Sequence, residues 1–142
     1  MAKTIDQTVE FGGVSAEQLF DLYMDPEQHK AATGGPVAIE PEVGGRFSAL
    51  GGLTGCYLAI ESPRLIVQTW RAEVWHAGDP DSVLILTFEN TSSGARVQLV
   101  QANVPDHAYQ TIDEGWRRYY WAKWADHLAC RPAPAATRPE RA

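Results

Sequence analysis

From Asp106 to about Ala129 the chain runs without a proline, and its apolar residues fall at helical spacing. A helix of that length needs a partner, because amphipathic helices gain their stability from the face they bury. The face here is wide and aromatic. Trp116, Tyr120, Trp124 and Leu128 stand at successive i+4 positions, with Tyr109, Ile112 and Tyr119 widening the row. Gly115 is the weak point of the helix interior, costing about 1 kcal/mol relative to alanine.

The partner lies upstream. Val37 to Glu40, Arg46 to Leu50, Thr54 to Glu61, Arg64 to Trp75, Ser82 to Glu89 and Ala95 to Ala102 read as strands. Gly44-Gly45, Gly51-Gly52, Ser62-Pro63, the loop Gly78 to Asp81 and the turn NTSSG separate them. Ahead of them, Thr4 to Phe11 alternates and places Ile5, Val9 and Phe11 on one strand face. Ser15-x-x-Gln18 is a capping box that opens a helix over 16–24, burying Leu19, Phe20 and Tyr23. Asp25 as N-cap and Pro26 as first helical residue start a second, short helix that stops at Gly34-Gly35. Strands grouped together with helices at the ends predict an α+β fold. The order suits a curved antiparallel sheet of about six to seven strands wrapped around the C-terminal helix, with space between them. Residues 1–130 make one domain, and 131–142 a disordered Pro/Ala/Arg tail without apolar anchors.

Charge narrows the partners. The formal net charge is −6, and the tail holds three arginines against one glutamate, so residues 1–130 carry −8. Such a body repels phosphate backbones, which argues against nucleic acid. No apolar run approaches the roughly 18 residues of a membrane span. The opening MAKTIDQTVEF lacks the apolar stretch of a secretory signal. Cys56 and Cys130 read as free thiols, which suits a reducing cytoplasm.

Catalytic chemistry is hard to find. His29, His76, His107 and His127 follow no metal-ligand spacing, and on one helix His107 and His127 stand about 30 Å apart at 1.5 Å per residue. All four read as surface or partly buried histidines without a role. Cys56 reads as a small core residue. No G-x-S-x-G elbow and no phosphate-binding glycine loop is present. No metal, cofactor or catalytic residue is therefore expected. Alternation over 64–75 puts Ile66, Gln68, Trp70, Ala72 and Val74 inward, leaving Arg71 and Glu73 as a solvated outer pair. The reverse register would bury that pair and favour an enzyme, for which Glu73 or His76 is the nearest acid or base.

Several pieces together resemble the START-like SRPBCC superfamily, in the branch similar to the activator of heat-shock-protein-90 ATPase. They are Asp25-Pro26-Glu27, Gly44-Gly45-Arg46-Phe47, Gly51-Gly52 with Gly55, Glu61-Ser62-Pro63-Arg64-Leu65 leading to Trp70, Gly94, and Gly115-Trp116 in GWRRYYWAKW. Gln101 and Asn103 stand where relatives often carry histidine and glycine. The resemblance covers residues about 5 to 129. It implies a helix-grip fold with an internal pocket for apolar or amphipathic small molecules, and a possible chaperone partner.

On this reading the chain binds a small apolar or amphipathic molecule between sheet and C-terminal helix. The walls expected are Phe20 and Tyr23 from the first helix, Trp70, then Val97, Leu99 and Gln101 from the last strand, and Trp116, Tyr120 and Trp124. An enzyme of cyclase, hydratase or hydrolase type using the same cavity, a protein-binding module and a homodimer are the alternatives.

Overall fold

The computed structural model describes residues 2–49 and 52–130. The expected tail and the Gly51 half of the second glycine turn lie outside the described residues. Strand β1 (Ala2–Gly12) leads into α1 (Ala16–Met24) and α2 (Pro26–Thr33). Six strands follow: β2 (Val37–Ile39), β3 (Arg46–Ala49), β4 (Leu53–Glu61), β5 (Leu65–Trp70), β6 (Ser82–Asn90) and β7 (Gly94–Pro105). A helical segment closes the order. It consists of a 3-10 turn (Asp106–Ala108), α3 (Tyr109–Gly115), a π-helical stretch (Trp116–Trp121) and α4 (Ala122–Cys130).

The strands form one seven-stranded sheet in the order β1-β7-β6-β5-β4-β3-β2, antiparallel throughout. This is the expected α+β helix-grip arrangement. The alternation is regular where the sheet is central. Ser82, Leu84, Leu86 and Phe88 of β6 turn inward, as do Ala95, Val97, Leu99 and Gln101 of β7. Both caps form at α1: the Ser15 hydroxyl accepts from the Gln18 amide, and Gln18 Oε1 accepts from the Ser15 amide at 2.7 Å. Gly94 sits where β7 meets β1, and a Cβ there would strike the Phe11 carbonyl oxygen. Asn103 holds φ at 69°, a left-handed conformation that asparagine tolerates better than most residues.

Four expectations are corrected. The strand expected over 64–75 ends at Trp70, with only an isolated bridge from Arg71 to Thr54. Ile66, Gln68, Trp70 and Ala72 do face inward, but the chain turns after them, exposing Val74 and burying Trp75 instead. Arg71 does not pair with Glu73; its guanidinium reaches the His76 and Asp79 carbonyl oxygens and the Asp81 carboxylate. Cys56 is half-buried on β4 rather than in the core, with its thiol 3.6 Å from the Gly44 carbonyl oxygen.

The fourth correction concerns the helix. A uniform α-helix would carry Trp116 and Tyr120 inward and leave Trp121 aside. The π-helical stretch widens one turn by a residue. Tyr120 and Trp121 are then both buried, while Tyr119, expected in the stripe, is 53% exposed. Trp121 Nε1 donates to Gln7 Oε1 at 2.7 Å, tying this turn to β1.

Candidate functional site

Between the helical segment and the β2–β4 edge of the sheet lies a cavity of about 420 Å³. Its position follows from what fills the rest of the sheet. Over β1, β7 and β6 the concave face is packed: Trp124 lies against Phe11, and Phe20 meets Phe88 edge to face. Toward the other edge the strands shorten to three and four residues, and α2 stops at Gly34, whose φ of 82° turns the chain away. Small residues line the gap left there, among them Gly35, Ala49 and Gly115. Trp70, Trp116, Tyr119 and Tyr120 supply the aromatic wall.

Of the expected wall residues, the structure brings Trp70, Trp116 and Tyr120 to the cavity. Phe20, Tyr23, Val97, Leu99, Gln101 and Trp124 are all buried, in the packed interior away from it. They hold the wall rather than form it. Trp116 Nε1 donates to Gln101 Oε1 at 2.8 Å, and Gln101 Nε2 donates to Ser82 Oγ at 3.0 Å. Ser82 Oγ donates to the Trp70 carbonyl oxygen at 2.7 Å. This chain links two of the indole walls through wholly buried polar groups, each with its partner. Gly115 shapes the same cavity. A Cβ there would meet only Tyr119 Cδ2, at 3.8 Å. Its missing side chain keeps the cavity open instead of drawing the helix onto the sheet.

The polar end of the cavity is His29, and sequence reasoning missed it. His29 is 1% exposed, not a surface residue. Its Nδ1–H donates to the Tyr23 carbonyl oxygen at 2.8 Å, so Nε2 of the neutral ring accepts from the Tyr120 hydroxyl at 3.0 Å. Burial holds the imidazole pKa below its ordinary value, against the opposing pull of the Tyr23 bond. Burial likewise pushes the Tyr120 phenol up, so both groups stay uncharged near neutrality. The Tyr57 hydroxyl is buried without a hydrogen-bond partner. A signal for His29 existed: α2 buries only His29 and Ala32, three residues apart, so this weakly apolar helix had one face to turn inward.

No charged side chain lines the cavity among the described residues. Glu73 and His76, the acid and base suggested for an enzyme, are both exposed and lie outside its lining. Glu73 lies in the turn after β5, so its exposure comes from that turn and not from a strand register.

Comparison with known proteins fits this architecture. A family model described as Activator of Hsp90 ATPase homolog 1-like protein matches residues 13–129. The activator of 90 kDa heat shock protein ATPase homolog of Dictyostelium discoideum is 30% identical over 117 residues, covering 82% of this chain and 30% of that protein. The human activator homolog 1 is 26% identical over 108 residues, 75% of this chain and 32% of the relative. The chain thus spans about a third of the length of these curated relatives. Among solved structures, an HSP90 activator from Plasmodium falciparum superposes with a TM-score of 0.79 at 22% identity, covering 89% of this chain and 96% of that one. A Mesorhizobium loti protein gives 0.79 at 20% identity, covering 92% and 99%.

Proposed function

The chain belongs to the Activator of Hsp90 ATPase homolog 1-like family, and we propose that it binds a small, neutral, ring-bearing apolar molecule in its cavity. The observation that carries this reading is the uncharged aromatic wall around about 420 Å³, within the range of small-molecule sites. Indole and phenol faces supply apolar area and stacking. Among the described residues no cationic or anionic side chain lines the cavity, which disfavours a charged ligand, since it would lose its hydration without a partner. Tyr120 spends its proton on His29 Nε2, so its oxygen keeps acceptor capacity for a ligand hydroxyl or N–H. The ligand selected is an aromatic or alicyclic molecule with one hydrogen-bond donor.

The test is a fluorescence titration with a neutral flavonoid-sized phenol. Saturable binding at micromolar level, about −8 kcal/mol, is expected. Gly115→Leu puts a side chain into the cavity from a position with room for a Cβ, and leucine favours helix over glycine. It is expected to weaken binding at least tenfold while the protein stays folded. Binding that does not saturate, or that Gly115→Leu leaves unchanged, refutes the reading.

A second reading rests on the relatives. The curated ones are named as activators of a 90 kDa heat shock protein ATPase. A contact between this domain and a chaperone of that class is the corresponding proposal. Stimulation of a purified chaperone's ATP hydrolysis supports it; an unchanged rate at saturating protein sets it aside.

A further inference from the structure

The fold brings together, outside the cavity, three metal-ligating side chains that the sequence keeps apart. His76 and Asp79 stand in the loop after β5, and His107 in the 3-10 turn that opens the helical segment. One ligand atom from each lies within 4.8 Å of the other two. His107 Nε2 is 2.8 Å from Asp79 Oδ2, and His76 Nδ1 is 3.9 Å from the same oxygen. We infer that His76, Asp79 and His107 form a binding site for a borderline divalent transition ion, of which Zn²⁺ is the representative.

Two imidazoles and one carboxylate are ligands that zinc accepts. With metal–ligand bonds of about 2.0–2.1 Å, a tetrahedral ion holds its ligand atoms roughly 3.3–3.4 Å apart. The two separations at Asp79 bracket that value. The imidazole rings are stacked, 4.1 Å between centroids and 19° from parallel, so they do not yet converge on one point. The His76 side chain is 72% exposed, and turning it sacrifices little packing.

A second set of contacts holds the loop in place. Arg71 Nη2 donates to the His76 carbonyl oxygen at 2.7 Å, and Nη1 to that of Asp79. The His76 amide donates to Asp79 Oδ2 at 2.9 Å. The backbone of both loop ligands is therefore clamped from below. The clamping charge is offset by Asp81, 3.3 Å from Arg71 Nη1. Partners that fix the ligands from outside are what a metal site needs beyond the ligands themselves. A hollow bounded by Asp79, Pro80, Asn103, Pro105 and His107 adjoins the cluster, with room for water in the remaining coordination positions. None of these residues lines the aromatic cavity, so this site stands apart from the proposed ligand function.

Calorimetric titration of the full chain with ZnCl₂ at neutral pH tests it, with MgCl₂ as the control. One saturable Zn²⁺ site at micromolar level is expected, and no Mg²⁺ binding. His76→Ala and His107→Ala each weaken Zn²⁺ binding at least tenfold, while His127→Ala and Cys130→Ser keep the wild-type affinity. Asp79→Asn retains a carbonyl acceptor in the loop and serves where an alanine variant unfolds; it too loses at least tenfold. Zinc affinity unchanged in the His76, Asp79 and His107 variants, or absence of saturable binding up to millimolar Zn²⁺, overturns the proposal. The three side chains would then be a hydrogen-bonded clasp between loop and helical segment.

Discussion

The two ends of the interface between sheet and helix are built by opposite rules. Over β1, β7 and β6 the helix presses large side chains against large side chains, and Val97, Leu99 and Trp124 are wholly buried. Over the β2–β4 edge the same helix presents Gly115 to Gly35, Ala49 and Leu53, and the space stays open. One element thus serves as core at one end and as cavity wall at the other. Core packing and cavity wall are therefore separable along its length, because an interior at crystal-like density resists volume changes that a cavity absorbs.

The largest effect is expected at the packed end. Trp124→Ala removes a fully buried indole that contacts Phe11, Tyr120 and Trp121, and should cost about 3–5 kcal/mol. Denaturant titration measures it. A loss below about 1 kcal/mol would mean that the packed end relaxes as the open end does.

His29 marks the boundary, and pH tests it. Its folded pKa lies below the unfolded value. Above the unfolded pKa of about 6.5 both states carry a neutral ring, and pH has no effect through this group. As pH falls below that, the unfolded chain takes the proton first. Stability drops by up to about 1.4 kcal/mol per pH unit until the folded pKa is reached. His29→Gln should flatten the curve between pH 6.5 and 5. Identical slopes in variant and wild type would show that the ring takes up a proton without opening the fold.

The smallest effect has opposite signs at two glycines. Gly115 has helical φ and ψ of −61° and −40° and room for a Cβ, so Gly115→Ala should stabilise by about 0.5–1 kcal/mol. Gly94→Ala should destabilise, because its Cβ meets the Phe11 carbonyl oxygen. Melting temperatures of the two variants compare the two ends directly. A loss at Gly115 would show that the cavity is narrower than its walls suggest.

Much of this fold is legible in the residues. Ser15, Pro26 and the glycine pairs punctuate the chain by local rules, and alternation gives the facing of β5 and β7. The cavity is less legible, because a buried residue and a wall residue carry the same apolar signature. Trp70 and Trp124 look alike in sequence, and only the strand order decides that one borders a hollow while the other fills the core. His29 and the His76–Asp79–His107 cluster depend on contacts across 91 and 28 residues, beyond the reach of spacing rules. Trp121 was hidden by the π-helical turn, which breaks the 3.6-residue period on which the stripe was read.

All five tryptophans fall into one unbroken row. Trp75 neighbours Trp70, Trp70 neighbours Trp116, Trp116 neighbours Trp121, and Trp121 neighbours Trp124, with ring centroids 5.7, 6.1, 5.8 and 5.2 Å apart. At such separations excitation on one indole should pass readily to its neighbours, so the emission of the row is expected to be shared between the cavity wall and the core. A quencher touching only Trp70 or Trp116 would dim the emission of the whole row, including that of Trp124, which no ligand in the cavity reaches. The coupled indole transitions should also give a paired positive and negative band in the ultraviolet circular dichroism, a spectral signature of the helix lying in register on its sheet.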